Sequence, residues 1–122
     1  MGELLGIARF KFHPGKVDEY KRLNERAMEL VKAKDTGTLE YAVYFNDDQS
    51  EAIVIERYRS SAALMEHAKH VAEVQEQILA TATVTGEVLG EPSAELKESL
   101  ADGPVQLFTP FKSMKESEMG DD

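Results

Sequence analysis

The order in which two hydrophobic periods alternate along the chain limits its fold more than any single motif does. Over residues 5–12, Leu5, Ile7, Arg9 and Lys11 alternate with Gly6, Ala8, Phe10 and Phe12, as in a strand whose side chains point to opposite faces. His13-Pro14-Gly15 stops that run. From Lys16 the apolar positions are Val17, Tyr20, Leu23, Ala27, Leu30 and Val31, with Asp18, Glu19, Lys21, Arg22, Glu25 and Glu29 between them. This spacing predicts an amphipathic helix ending near Lys34, just before the turn residues Asp35-Thr36-Gly37.

Residues 41–45 and 52–58 are rich in aromatic and β-branched side chains and flank the polar cluster 46–50, which predicts a hairpin. Ser60 or Ser61 can cap a second helix, whose stripe runs through Leu64, Ala68, Val71, Val74 or Gln75, and Ile78 toward Ala82. Residues 83–89 return to strand chemistry. Strand, helix, strand, strand, helix, strand is the βαββαβ order of a ferredoxin-like α+β domain, an antiparallel sheet with helices on one face. Glu91-Pro92-Ser93 opens a short helix through Leu100, Asp102-Gly103 closes it, and residues 105–108 offer an extra strand. The expected domain is 1–112, including a C-terminal arm over 92–112, followed by an acidic tail over 113–122 that frays in solvent.

A chain of 122 residues is the length of one domain with one core. Cysteine is absent, which removes disulfides, thiolate nucleophiles and cysteine metal sites together and agrees with a reducing compartment. The N-terminal residues do not read as a signal peptide and no apolar run approaches the roughly 20 residues of a membrane span, so the expected location is the cytoplasm. With 23 acidic against 14 basic residues, the net charge of −9 disfavours nucleic acid and anionic membranes as partners. No Gly-rich phosphate loop, nucleophile elbow or dinucleotide fingerprint appears, so nucleotide cofactors are unsupported.

Helices cover one face of such a sheet, yet apolar residues including Phe10, Phe12, Val43, Phe45, Val54 and Tyr58 are expected on both. A second copy related by two-fold symmetry would cover the other face, predicting a homodimer. The C-terminal arm could reach across to that copy or fold back over its own subunit.

Ile53-Val54-Ile55-Glu56-Arg57-Tyr58-Arg59-Ser60-Ser61-Ala62-Ala63-Leu64-Met65-Glu66-His67 resembles the strand-to-helix signature of the antibiotic biosynthesis monooxygenase family of dimeric α/β barrels. There a strand ends in an acidic residue and an aromatic, and the following helix carries a histidine on its second or third turn. The resemblance implies a pocket in each subunit. In some members it implies oxidation of quinols, anthrones or similar phenolic aromatics by molecular oxygen without metal or flavin. Other members degrade haem, but Tyr58 stands where the pattern often has Trp and the chain contains none, which counts against that branch.

A cofactor-free oxygenase needs a base and a dry pocket, because a deprotonated phenol gives an electron to oxygen more easily than the neutral form. His67 is the first candidate, since imidazole titrates near neutrality and it matches the family histidine. A rim histidine bonded to a neighbouring strand is its structural alternative. Glu56 and Tyr58 share a strand face and could line the pocket together, Glu56 as base or as the group that orients a histidine. The plainer reading of Glu56 is a salt bridge to Arg9 or Arg57. Phe10, Phe12, Tyr41 and Tyr44 could stack on an aromatic ligand, or serve as core. His67 and His70 lie three apart rather than at the usual metal-binding spacing of four, and no third ligand is evident, so no metal is assigned. Glu66 and Glu73 fit a solvated helix face. The expected partners are a small aromatic molecule and molecular oxygen. The alternatives are a non-catalytic dimer that binds a small ligand, and haem binding or breakdown.

Overall fold

The computed structural model describes residues 2–114. Its elements are β1 (Leu4–Phe12), α1 (Val17–Lys34), β2 (Thr38–Phe45), β3 (Glu51–Tyr58), α2 (Ser61–Leu79), β4 (Ala82–Leu89), α3 (Ala94–Leu100) and β5 (Val105–Phe108). The expected acidic tail over 113–122 lies outside the described residues except for Ser113 and Met114. The sheet runs β2-β3-β1-β4-β5, with β5 parallel to β4 and the other neighbours antiparallel. This is the ferredoxin-like α+β arrangement that the alternating periods predict, with one added edge strand. The sheet is open.

Local chemistry accounts for the element ends. The Ser60 hydroxyl accepts from the Ala63 N–H at 3.2 Å and Ser93 from Leu96 at 3.1 Å, so a side-chain oxygen serves one otherwise unpaired donor at the start of α2 and of α3. α1 has no side-chain cap, but Asp18 and Glu19 in its first turn and Lys32 and Lys34 in its last complement its dipole. α2 stops at Leu79 rather than running toward Ala82. The fully buried Thr81 donates its hydroxyl to Ile78 C=O at 2.7 Å, while Thr81 C=O accepts from His13 N–H at 2.9 Å. β2 begins three residues before the expected strand, because the register shift between Thr38 and Glu40 breaks the alternation there.

The residues that α1 buries, Tyr20, Leu23, Ala27 and Val31, pack with Phe10, Ala52 and Val54 of the sheet and with Val71, Val74 and Ile78 of α2. Register places Phe10, Phe12, Val43, Phe45, Val54 and Tyr58 all on this helix-covered face, not on both faces. The uncovered face carries a different set, Leu5, Ile7, Ile53, Ile55 and Tyr44, among the ion-paired Arg9, Arg57, Glu87 and Glu40. In the single chain the arm folds back on its own subunit, along the sheet edge rather than over the open face. β5 extends the β4 edge, and Leu96 of α3 packs with Leu4 and Val88 on the helix side, so the uncovered face stays open in the single chain.

The turn between α1 and β2 lies close against α2. A Cβ at Gly37 would fall inside van der Waals contact of the Ala63 Cβ, while Gly37 C=O accepts from Arg59 N–H at 2.8 Å. Ala63 sits on a packed helix and cannot yield cheaply. Gly37→Ala should therefore lower stability by about 1–3 kcal/mol in urea unfolding. Ala63→Gly added to it should recover part of that loss despite its own helix cost of about 1 kcal/mol.

Candidate active site

Residues 63, 66, 67 and 70 fall on one face of α2 by helical spacing, and the turn 35–37 sits on that face. Glu66 Oε1 accepts from the Thr36 N–H at 3.2 Å and from its hydroxyl at 3.0 Å, so Glu66 anchors the turn rather than merely facing solvent. Beside it, Asp35 Oδ2 meets His67 Nδ1 at 2.8 Å and Asp35 Oδ1 meets His70 Nδ1 at 2.6 Å. The Thr38 hydroxyl donates to Oδ2 at 2.7 Å. The Asp35 side chain is 2% exposed, against 10% for His67 and 24% for His70. Burial alone would raise the Asp35 carboxyl, but hydrogen bonds from His70, Thr38 and His67 outweigh it and hold the group below the usual aspartate value.

The other nitrogen of His67, Nε2, lies 3.6 Å from Glu56 Oε1. That same oxygen accepts the Tyr58 hydroxyl. The imidazole is flanked by Tyr58 at 5.3 Å between ring centres and by Tyr41 at 5.9 Å, edge-on, with the Tyr41 hydroxyl accepting from Asn24 Nδ2 at 3.0 Å. Burial pushes the Glu56 carboxyl above its ordinary value, against the opposing effects of the Tyr58 hydrogen bond and of positive charge on His67. Burial, and next the Glu56 charge, raise the hydroxyls of Tyr58 and Tyr41, so both remain protonated.

Glu56, Tyr58 and His67 line one cleft of about 590 Å³ between α2 and the β1–β4 side of the sheet. Its walls are largely apolar, with Ala8, Val84 and Val88 from the sheet, Leu64, Val71 and Leu79 from α2, and Leu100 and Val105 from the arm. The space exists because Gly6, Ala8 and Gly86 on the sheet oppose Ala68 and Ala72 on α2. Glu56 retains 22% side-chain exposure, and the cleft it lines accounts for that opening.

Of the residues singled out from the sequence, His67, Glu56 and Tyr58 come together here, with Tyr41 packed behind the imidazole. Phe10 and Phe12 do not line the cleft. They stack with Tyr20 and Phe45 in the core, at ring-centre distances of 4.8–6.2 Å. Tyr44 is 58% exposed on the uncovered face. The ion pair expected as the plainer role of Glu56 does not form, because Arg9 pairs with Glu87 and Arg57 with Glu3 and Glu40, all away from it. Asp35 escaped the sequence reading. One signal pointed to it: a carboxylate at the C-cap of α1 sits at the end of the helix dipole that disfavours negative charge, so something else must hold it there.

The sequence profile described as antibiotic biosynthesis monooxygenase matches residues 5–80. MupZ from Pseudomonas fluorescens superposes with a TM-score of 0.80 at 19% identity, over 94% of this chain and 95% of that one. SnoaB, a cofactor-independent oxygenase from Streptomyces nogalater, gives 0.66 at 14% identity over 94% and 99%. Both likenesses are of fold. Rv0793 from Mycobacterium tuberculosis gives 0.65 at 28% identity over 75% and 96%. No curated protein matches the chain in sequence.

The raised Glu56 carboxyl has a measurable consequence. Between its unfolded and folded values, the folded state keeps a proton that the unfolded chain has released, so stability falls as pH rises through that interval. Glu56→Gln removes this penalty while keeping an acceptor for Tyr58. Urea unfolding from pH 4 to 8 should show the variant overtaking the wild type as pH rises, by about 1.4 kcal/mol for every pH unit of the interval. Asp35→Asn should show the opposite trend, a deficit at neutral pH that shrinks as pH falls through the depressed Asp35 value.

Proposed function

As the chain belongs to the antibiotic biosynthesis monooxygenase family, we propose that it oxidises a small phenolic or quinol-type aromatic with molecular oxygen, without metal or flavin, as a cytoplasmic homodimer. The observation that carries this reading is an acid–base pair, His67 Nε2 and Glu56 Oε1, set 3.6 Å apart in the wall of an apolar cleft. The paired sheet faces of the homodimer would be the uncovered ones, where Ile53 and Tyr44 are exposed.

In this reading the substrate ring lies between the small residues of the sheet and of α2, and His67 Nε2 takes the hydroxyl proton. Glu56 shares the resulting charge and can carry a proton itself. A ring seated against the apolar walls would displace water from the cleft, so the phenolate would be poorly solvated and give up an electron to oxygen more readily. Oxygen then joins the ring carbon, the O–O and C–H bonds break, and the proton held by the site returns as water leaves. The sum is phenol plus O₂ giving quinone plus water, with one oxygen atom in each product. Tyr58, held protonated, orients Glu56, and Tyr41 limits rotation of the imidazole.

Oxygen uptake by metal-free protein against hydroquinones, naphthoquinols and anthrones, beside a protein-free autoxidation control, tests the reading. Saturable uptake above the control is expected, falling about 10²–10⁴-fold in His67→Ala as for loss of a general base. Uptake equal to the control across the panel, with the same compounds bound at micromolar concentration in calorimetry, would assign the cleft to ligand binding alone. A Soret shift on titration with haemin would point to haem instead.

A further inference from the structure

We propose that Asp35 is the positioning residue of this site, its carboxylate fixing His67 in the Nδ1–H tautomer so that Nε2 is the basic nitrogen turned toward Glu56. The proposal deepens the reading above and rests on His67 being its base.

The geometry leaves little freedom. The Asp35 oxygens lie 2.8 Å from His67 Nδ1 and 2.6 Å from His70 Nδ1, the range of charge-assisted hydrogen bonds. An ionised carboxylate only accepts, so each Nδ1 must carry the hydrogen. A neutral His67 then has its lone pair on Nε2, the nitrogen that faces Glu56. When His67 takes a proton there, the positive charge forms against a fixed negative one at Asp35.

The turn is held on α2 by contacts besides this carboxylate. Thr36 is already bonded to Glu66, and Gly37 already lies against Ala63. A carboxylate buried at the C-cap of α1 is, for the helix alone, an unfavourable choice. What Asp supplies and Asn cannot is a second accepting oxygen together with charge. His70 uses the first oxygen from the more open side, and the Thr38 hydroxyl braces the second, so the carboxylate plane is set and Oδ2 is aimed at His67.

Long-range ¹H–¹⁵N correlation spectra of the histidine side chains test this without any substrate. The wild type should show His67 as the Nδ1–H tautomer at a pH where it is neutral. Asp35→Leu, similar in shape but without an acceptor, should move His67 toward Nε2–H, with Glu56 as its new acceptor. Wild-type His67 in the Nε2–H form, or as an even mixture, would overturn the proposal whether or not the variant folds. With a substrate from the oxygen-uptake panel, folded Asp35→Leu should lose at least tenfold in kcat with KM changed less than about threefold, by analogy with loss of the orienting aspartate in a Ser-His-Asp triad. A kcat within twofold of wild type would likewise overturn it. If no substrate is turned over, the wild-type spectra still decide the tautomer, so failure of the oxygenase reading and failure of this one are separable.

Discussion

The seating of the turn 35–37 on α2 is the contact on which the candidate site depends. α1 ends there, β2 starts there, and α2 passes beneath, presenting Ala63, Glu66, His67 and His70 on a single face. Three different interactions meet at this place: close packing at Gly37, hydrogen bonds to neutral donors at Thr36, and charge-assisted bonds at Asp35. Because they are adjacent in sequence and fall on successive turns of one helix, none can shift without moving the others. The imidazole of His67 is therefore placed by the joining of the two helices rather than by the sheet alone, and Glu56 on β3 is the group that meets it from the sheet.

The layer between sheet and helices is filled unevenly, and that unevenness makes the cleft. Along β1, beyond Leu4 under α3, the inward positions run Gly6, Ala8, Phe10, Phe12, from no side chain to the largest. At the large end Phe10, Phe12, Tyr20 and Phe45 pack ring against ring, contacts worth about 0.5–1.5 kcal/mol per pair beyond their buried area. At the small end the row Tyr41, Glu56, Gly6, Val88 runs across four strands and leaves Glu56 without a bulky neighbour on its β1 side. A Cβ at Gly6 would meet Glu56 and Tyr58 only at ordinary contact distance, so the glycine leaves room rather than avoiding a clash. Apolar burial at the large end offsets the cost of burying polar groups in the same layer, including the Tyr20 hydroxyl, buried without a hydrogen-bond partner among the described residues, a burden of about 1–3 kcal/mol.

The elements were legible in the sequence because the two periods are clean in β1, α1, β3 and α2. Their ends were less so where the cause was not periodic, as at the register shift beside Leu39 and at Thr81, whose hydroxyl bonds back to Ile78. Glu56, Tyr58 and His67 were found together because the strand-to-helix signature carries all three within twelve residues. Phe10 and Phe12 have the aromatic side chains a stacking pocket would use, but side-chain type says nothing about which end of a layer is filled. Asp35 is 32 residues from His67 and 35 from His70 in sequence, and only the packing of α1 on α2 brings them together. In a single sequence that pairing leaves no mark beyond a carboxylate at an awkward helix position.

The two carboxyl groups on either side of His67 are driven in opposite directions, and the difference lies in their donors. Asp35 receives bonds from His67, His70 and Thr38, which offset its burial and keep it an anion. Glu56 receives one from Tyr58 and faces a largely apolar cleft, so burial prevails and it holds its proton more tightly than an ordinary glutamate. Carboxyls separated in this way can take different parts in proton transfer, one as fixed charge and the other as carrier. The separation also bears on what the cleft can admit. The chain carries a net charge of −9, and an ionised Glu56 would repel an oxygen anion formed beside it. The single proton taken from a phenol has two places to go: on His67 it forms an imidazolium steadied by Asp35 behind it, and passed on to Glu56 it removes that repulsion at the place where the anion would form.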